Sequence, residues 1–321
     1  MRISVALASY NGSAYLQEQL DSFVAQWRQP DELIASDDAS GDSTVQILEE
    51  FRARAPFPVR ILKNSKTVGP EGNFERAISA CTGDIIFLSD QDDVWLPAKL
   101  RTVEQIFHTR PDAILVINDL ELTDQKLDCT GETVIGSMRS SGIWGPAGRT
   151  FNTGCATAFR SNLRHLALPI PPLNYGHDRW LHAVADAIGG RLVLEQTLQL
   201  YRRHEQNASE WVLQGSGVIA WKDNFRWSRG IDMRSIYANR REVLRTIEER
   251  LTAYPNDTFT CARAISVSVS ELRRAQIALT NRINLLESSF GLRRVRAVFM
   301  LLRGEYRYFL GWRSFVKDLI R

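Results

Sequence analysis

Segment 2–119 alternates short apolar runs with helical patterns, and this restricts the fold more than any other feature of the chain. RISVALA (2–8), DELIASDD (31–38), VRILKN (59–64), DIIFLSD (84–90) and AILVIND (113–119) read as strands. Between them, apolar residues fall at helical spacing: Leu16, Leu20, Phe23 and Val24 within 14–27, then Val45, Ile47, Leu48 and Phe51. The glycines and Pro70 of VGPEGN are expected to break the chain before a helix over 73–81, and Pro97 to open one running from Lys99 to His108. Such alternation predicts an α/β fold with a mostly parallel sheet covered on both faces. In sheets of that kind ligands bind beyond the carboxyl ends of the strands.

The rest of the front is less regular. Residues 124–150, rich in Gly, Ser and Thr, read as a long mobile loop. FNTGCATAFR (151–160) reads as a strand, 178–188 as a helix, and RLVLEQ and TLQLYRRH as two short strands. After about residue 212 the pattern becomes helical. Val243, Ile247 and Leu251 form one stripe, and Ile265, Leu272, Leu279 and Leu286 form another, seven apart, with TAYPNDT (252–258) as the turn between. Gly304 and Gly311 should weaken a continuous terminal helix. Charge divides the same way: residues 1–210 hold 20 Lys/Arg against 27 Asp/Glu, and residues 211–321 hold 20 against 10. We therefore expect two parts with different jobs, an α/β domain over 1–211 and a basic α-helical extension over 212–321. The extension reads as a solvated helical face, as an Arg-rich membrane-surface segment carrying Phe299, Tyr306, Phe309 and Trp312, or, through its seam, as a homo-oligomer contact. Nucleic acid is disfavoured, because the front is acidic and carries no recognition motif.

The four cysteines, Cys81, Cys129, Cys155 and Cys261, are widely spaced and suggest neither zinc nor a disulfide framework, so a reducing, cytoplasmic setting is expected. The opening MRISVALASYNG is too short in its apolar part for a signal peptide, and no apolar stretch is long enough to span a bilayer.

Carboxylates gather where strands should end. Asp37 and Asp38 close the second strand; Asp90, Asp92 and Asp93, in SDQDDVW, close the fourth; Asp178 stands in YGHDRW. Crowded carboxylates repel unless a cation or donors compensate them. Mg²⁺ or Mn²⁺, bound by one or two carboxylates plus substrate phosphates, would do so. A dinucleotide site lacks its GxGxxG, and a P-loop its GxxxxGK[ST].

In order, VALASYNGSAYLQEQLDSF, LIASDDASGDST and FLSDQDDVWLPAKL resemble the first strand and helix, the base-binding turn and the DxD segment of family 2 glycosyltransferases of the GT-A fold. SDQDDVW, GHDRWL and YRRHEQNAS together resemble the branch containing bacterial rhamnosyltransferases of surface polysaccharide synthesis. The resemblance covers about residues 1–210. It implies a GT-A nucleotide-sugar-binding fold, which the C-terminal α-helical extension, read from periodicity, follows. It implies that Ala8, Tyr10 and Asp38 line the base pocket, with Asp38 accepting from a pyrimidine N–H. Asp90 would reach ribose or metal, Asp92 and His204 would hold the metal, and Asp178 would be the catalytic base. Ala8 stands where Thr is common, and His177 where an acid is commoner.

The implied reaction is an inverting displacement from a nucleotide-diphosphate sugar to a glycan or lipid-linked saccharide. A positioned Asp can take the acceptor's proton, and a metal can stabilise the leaving diphosphate. Bland roles compete: Asp37–Asp38 as a turn, Asp93 as the cap of the next helix, Asp178 as a helix N-terminal acid, His204 as a structural histidine. Arg202 and Arg203 could pair with acids or touch phosphate. Trp95 and Trp180 read as core or pocket wall. A non-catalytic nucleotide-sugar or glycan binder is the rival class. A sugar-1-phosphate nucleotidyltransferase would want a basic glycine-rich loop, which SYNGSAYLQEQ is not.

Overall fold

The computed structural model describes residues 1–140, 152–204, 232–254 and 265–320. These fall into two compact units. The first holds 1–172 and 176–204; the second holds 232–254 and 265–320, with Leu173–Tyr175.

The first unit is built on a nine-stranded sheet. Its strands are β1 (Ile3–Ser9), β2 (Glu32–Asp37), β3 (Val59–Lys63), β4 (Ile85–Ser89), β5 (Val94–Trp95), β6 (Leu115–Thr123), β7 (Cys129–Thr133), β8 (Thr157–Arg160) and β9 (Arg191–Arg202). They run in the order β3-β2-β1-β4-β8-β6-β9-β5, and β7 pairs with β6. The half formed by β3, β2, β1 and β4 is wholly parallel. Beyond it, β8 runs antiparallel to both β4 and β6, while β9 is parallel to β6.

Burial explains the apolar runs. Ile3, Val5 and Leu7 of β1, Leu33 and Ala35 of β2, and Ile85 and Phe87 of β4 share one core with three helices. These are α1 (Leu16–Val24), α2 (Thr44–Arg54) and α4 (Lys99–Thr109), which contribute Leu16, Leu20, Phe23, Leu48, Phe51, Leu100, Val103 and Phe107. On the same strands Ala6, Ile34, Ile86 and Leu88 are also buried, and Phe74, Ala77 and Ile78 of α3 (Gly69–Ala80) are buried with them. Each large apolar side chain so buried stabilises the fold by roughly 1.5–3 kcal/mol.

Several local expectations are corrected. α3 begins at Gly69, not 73, because Pro70 occupies its first turn, where a missing N–H costs nothing. The strand expected over 151–160 is confined to Thr157–Arg160, preceded by a 3₁₀ turn at Gly154–Ala156. The two expected terminal strands are one, β9. Its register against β6 slips between Asn118 and Glu121, so β9 carries extra residues and bends. The loop 124–150 contains β7 and a helix, α5 (Val134–Ser140); residues 141–150 lie outside the described residues. Among the described residues the unit also holds α6 (Arg164–Ala167) and α7 (His177–Ala187), the latter close to the expected 178–188.

In the second unit the helices Met233–Ala253 and Ile265–Leu286 pair. Val243, Ile247 and Leu251 of one and Leu272 and Leu279 of the other are buried, and Arg273 meets Glu248 at 2.6 Å. The seam is thus used, at least at Leu272 and Leu279, within the chain. Helix Phe290–Leu302 stops at Gly304 (φ 67°), and a short 3₁₀ segment leads to Gly311 (φ 60°) and the last helix, Trp312–Ile320. Both glycines adopt the left-handed backbone that side chains disfavour, which is why the terminal helix is broken there. The turn expected at 252–258 lies mostly outside the described residues, as does Cys261.

Candidate active site

The register of the parallel strands sets the site. Ser9 of β1 pairs with Asp37 of β2, and Leu7 pairs with Ser89 of β4. The carboxyl ends of three adjacent strands therefore lie nearly level, delivering Tyr10, Asp38 and Asp90 to one edge of the sheet. Ala8 is the one β1 residue that is not fully buried, and Tyr10 is 50% exposed, so both face that edge.

Gln91 ties the first two loops together. Its Oε1 accepts from Tyr10 N (2.8 Å) and its Nε2 donates to Tyr10 O (2.9 Å). A Cβ at Gly12 would lie 2.1 Å from Gln91 Oε1, so any side chain there would displace the Gln91 amide from Tyr10. On the β2 side, Asp38 is buried and its oxygens accept from the backbone N–H of Val68 (2.8 Å) and Gly69 (2.9 Å) at the start of α3, and from Asn64 Nδ2 (2.8 Å). Oδ1 takes two of these bonds and Oδ2 one, so Oδ2 keeps a lone pair and the anchoring is compatible with one additional donor. Asp37 is a turn residue: it accepts from Ser9 Oγ and from both N and Oγ of Ser40.

The DxD segment divides into two layers. Asp92 and His204 form the outer one. His204 Nε2 lies 3.0 Å from Asp92 Oδ2, and its ring packs on Tyr15 with centroids 4.5 Å apart. Arg202, whose guanidinium also lies over Tyr15, donates from Nε to the Asp92 carbonyl (2.9 Å) and from Nη1 to the Gln125 carbonyl (2.7 Å), and pairs with Glu18. Arg202 thus fixes protein groups here. β5 makes this possible: Val94 and Trp95 pair antiparallel with Leu200 and Gln199, laying the Asp92–Asp93 turn against the end of β9.

Asp93 belongs to the inner layer and is not the helix cap expected of it; the residue before α4 is Ala98. Asp93 is fully buried, with Oδ1 accepting from Arg202 N (3.2 Å) and Oδ2 from Gln199 Nε2. Gln199 in turn accepts from Lys99 Nζ, which also donates to the Cys155 carbonyl (3.0 Å) and lies 4.2 Å from the Trp95 ring centre. Burial, then the Asp92 charge, pushes the Asp93 carboxyl up to about 7. Burial likewise pushes the Lys99 ammonium down to about 7, despite the acids near it. Asp90 is held well above the usual carboxylate range, first by burial and then by the charges of Asp92, Asp93 and Asp178.

Asp178 sits in the first turn of α7, after Gly176 (φ 84°), and its Oδ1 accepts from Arg179 N. It is at once a helix N-terminal acid and a neighbour of Asp90. His177 beside it stacks on Phe74 (4.1 Å between centroids), and burial depresses its pKa, so the ring is neutral. Trp95 and Trp180 are core residues; Trp180 donates to the Ala167 carbonyl at 2.7 Å.

The acidic cluster fits a cation. Neighbouring carboxylates raise the proton affinity of Asp90 and Asp93, and Lys99, itself driven toward neutrality, offsets them only in part. Asp90, Asp93 and Cys155 bring ligand atoms within 4.8 Å of one another. However, both Asp93 oxygens already accept hydrogen bonds. Burial and then the Asp93 and Asp90 charges keep Cys155 a neutral thiol. A hard cation takes oxygen ligands. Of that group Asp90 is the hard oxygen donor; Asp92, 3.0 Å from His204, lies outside it. Sequence reasoning missed Gln91, Lys99 and Gln199; of the two roles open to Arg202, pairing with an acid is met at Glu18. Only Gln91, inside SDQDDVW, carried a local signal.

Residues 4–163 match the family model described as glycosyl transferase family 2. An uncharacterized glycosyltransferase of Nostoc sp. is 24% identical over 272 residues, covering 79% of this chain and 83% of that protein. The dTDP-rhamnosyl transferase RfbG of Shigella flexneri is 37% identical over 99 residues, 30% of this chain and 34% of that protein. The crystal structure of S. aureus TarS 1-349 in complex with UDP-GlcNAc superimposes with a TM-score of 0.56 at 15% identity, covering 95% of this chain and 88% of that one. The sheet, its carboxylate-bearing edge and these matches agree: the fold is GT-A, and the chain is a glycosyltransferase belonging to glycosyl transferase family 2.

Proposed function

We propose that this glycosyltransferase is inverting and metal-dependent, and that it moves a sugar, rhamnose being our choice, from a nucleotide-diphosphate donor to a glycan or lipid-linked saccharide in cell-surface polysaccharide synthesis. The observation that carries the reading is the gathering of Asp90, Asp92 and Asp178 at one edge of the sheet, with His204 bonded to Asp92. The choice of rhamnose rests on the RfbG match. The station we propose is cytoplasmic and peripheral to the inner face of the plasma membrane, where a lipid-linked acceptor is presented. The catalytic domain spans 1–211 and the basic extension 212–321.

In this reading Ala8, Tyr10 and Asp38 receive the base, and Asp90 the ribose or the cation. Asp178 accepts the proton of the acceptor hydroxyl as its oxygen attacks the anomeric carbon. The bond to the diphosphate breaks on the opposite side, so the anomeric configuration inverts. Mg²⁺ or Mn²⁺, held by Asp92 with His204 and Asp90, would supply Lewis-acid stabilisation of the departing diphosphate. Lys99, Gln199 and Asp93 keep the turn bearing Asp92 in place from below. A non-catalytic binder would have no use for Asp178 at this edge.

Thermal-shift screening of a panel of nucleotide sugars with Mn²⁺ tests the reading. Stabilisation by nucleotide-diphosphate sugars that disappears with chelator is expected; no stabilisation by any of them refutes it. A pH dependence follows as well. Asp90 holds its proton above the ordinary carboxylate range, and a cation must displace that proton. Mn²⁺ affinity should therefore keep rising with pH beyond the ordinary carboxylate range, by up to about tenfold per unit, as one proton is released per ion. Calorimetry beyond that range checks it, and flat affinity would contradict it.

A further inference from the structure

Helix Phe290–Leu302 is apolar on two faces. Ala297 and Met300 are buried in the second unit with Leu285 and Tyr306. Elsewhere around it, Leu292, Val295, Phe299 and Leu302 recur at i, i+3, i+7 and i+10, one continuous stripe, and are 47%, 50%, 54% and 77% exposed. Past the helix, Leu310 and Trp312 are 66% and 70% exposed. A contiguous exposed apolar set on a folded chain marks an interaction surface.

Charge identifies the occupant. Residues 290–320 hold seven Lys/Arg against two Asp/Glu. Both acids are buried and committed. Asp318 meets Arg282 at 3.2 Å and accepts from Tyr306 Oη at 3.0 Å, and Glu305 accepts from Asn281. What this segment shows to solvent is therefore positive: Arg294, Arg303, Arg307 and Arg313 are all exposed. At 100° per residue, Arg294 and Arg303 flank the stripe on opposite sides. A second copy would bring the same positive rim and be repelled. An apolar stripe with a large aromatic and an arginine border is the pattern of a helix lying in the interface of an anionic bilayer. No described helix is long and apolar enough to cross a membrane, so contact of this kind is peripheral.

We propose that the stripe Leu292–Val295–Phe299–Leu302, with Trp312 and the bordering arginines, docks on an anionic lipid surface. The biological reason to visit a bilayer rests on the lipid-linked acceptor proposed above; the binding itself does not. The test is co-sedimentation of the full chain with phosphatidylcholine vesicles, pure or with about a third phosphatidylglycerol. Binding should be at least about tenfold tighter to the anionic vesicles and fall about as much between roughly 0.1 and 0.5 M salt. The double variant Phe299→Asp/Leu302→Asp, altering only exposed side chains, should lose it while melting like the parent. Arg303→Glu/Arg313→Glu should lose the preference for anionic lipid. Equal binding by the stripe variant, or no binding of the parent to anionic vesicles, overturns the proposal. So does a concentration-dependent dimer that the stripe variant abolishes without any vesicle binding, which assigns the face to a second copy. Donor binding, read by thermal shift on the same samples, reports separately on the transferase reading.

Discussion

Asp178→Asn should lower sugar transfer by about 10³-fold while leaving donor affinity within about twofold. The substitution keeps the side chain's size and its acceptor toward Arg179 N, so the first turn of α7 is preserved. What it removes is the ability to take a proton. In barrier terms the loss is about 4 kcal/mol. Transfer at the parental rate would remove Asp178 from the mechanism. Loss of donor binding together with transfer would show that it is not simply a base.

Asp92→Ala should be nearly as damaging to activity, by about 10²-fold or more, and should weaken Mn²⁺ binding about tenfold or more. It should hardly affect the fold, because Arg202 grips the backbone carbonyl of Asp92 and that bond survives the substitution. The neighbouring Asp93→Ala should do the reverse. It strips the acceptor from Gln199 and the charge from beside Lys99, both buried, and should destabilise the chain by roughly 3 kcal/mol. Denaturant titration of the two variants separates the roles. If Asp92→Ala were the less stable of the pair, the division into an outer site layer and an inner supporting layer would be wrong.

The parallel half of the sheet was legible because β1, β2 and β4 are buried on both faces and so read as apolar runs. The helix starts were less so: Pro70 looks like a breaker until one knows that it sits in a first turn. β5 has only two residues, and no periodicity could have announced it. RLVLEQTLQLYR reads as two strands because the bulged register against β6 interrupts its pattern, although the backbone is continuous. The site residues named from sequence lie at the ends of local elements, where turn chemistry and motif order are visible. Lys99 and Gln199 were invisible as site residues because their partners, Cys155 and Asp93, are far away in the chain. The error over Asp93 has the same origin. A helix does follow it, but a buried glutamine from β9 claimed its carboxylate first.

The most direct test of the central claim is transfer assayed with a panel of nucleotide-diphosphate sugars and a saccharide acceptor, with Mn²⁺ and with excess chelator, reading nucleoside diphosphate release and the anomeric configuration of the product. The account predicts release with at least one donor, an inverted anomeric centre, and loss of both with chelator. Retention of configuration, or transfer undiminished by chelator, would contradict it.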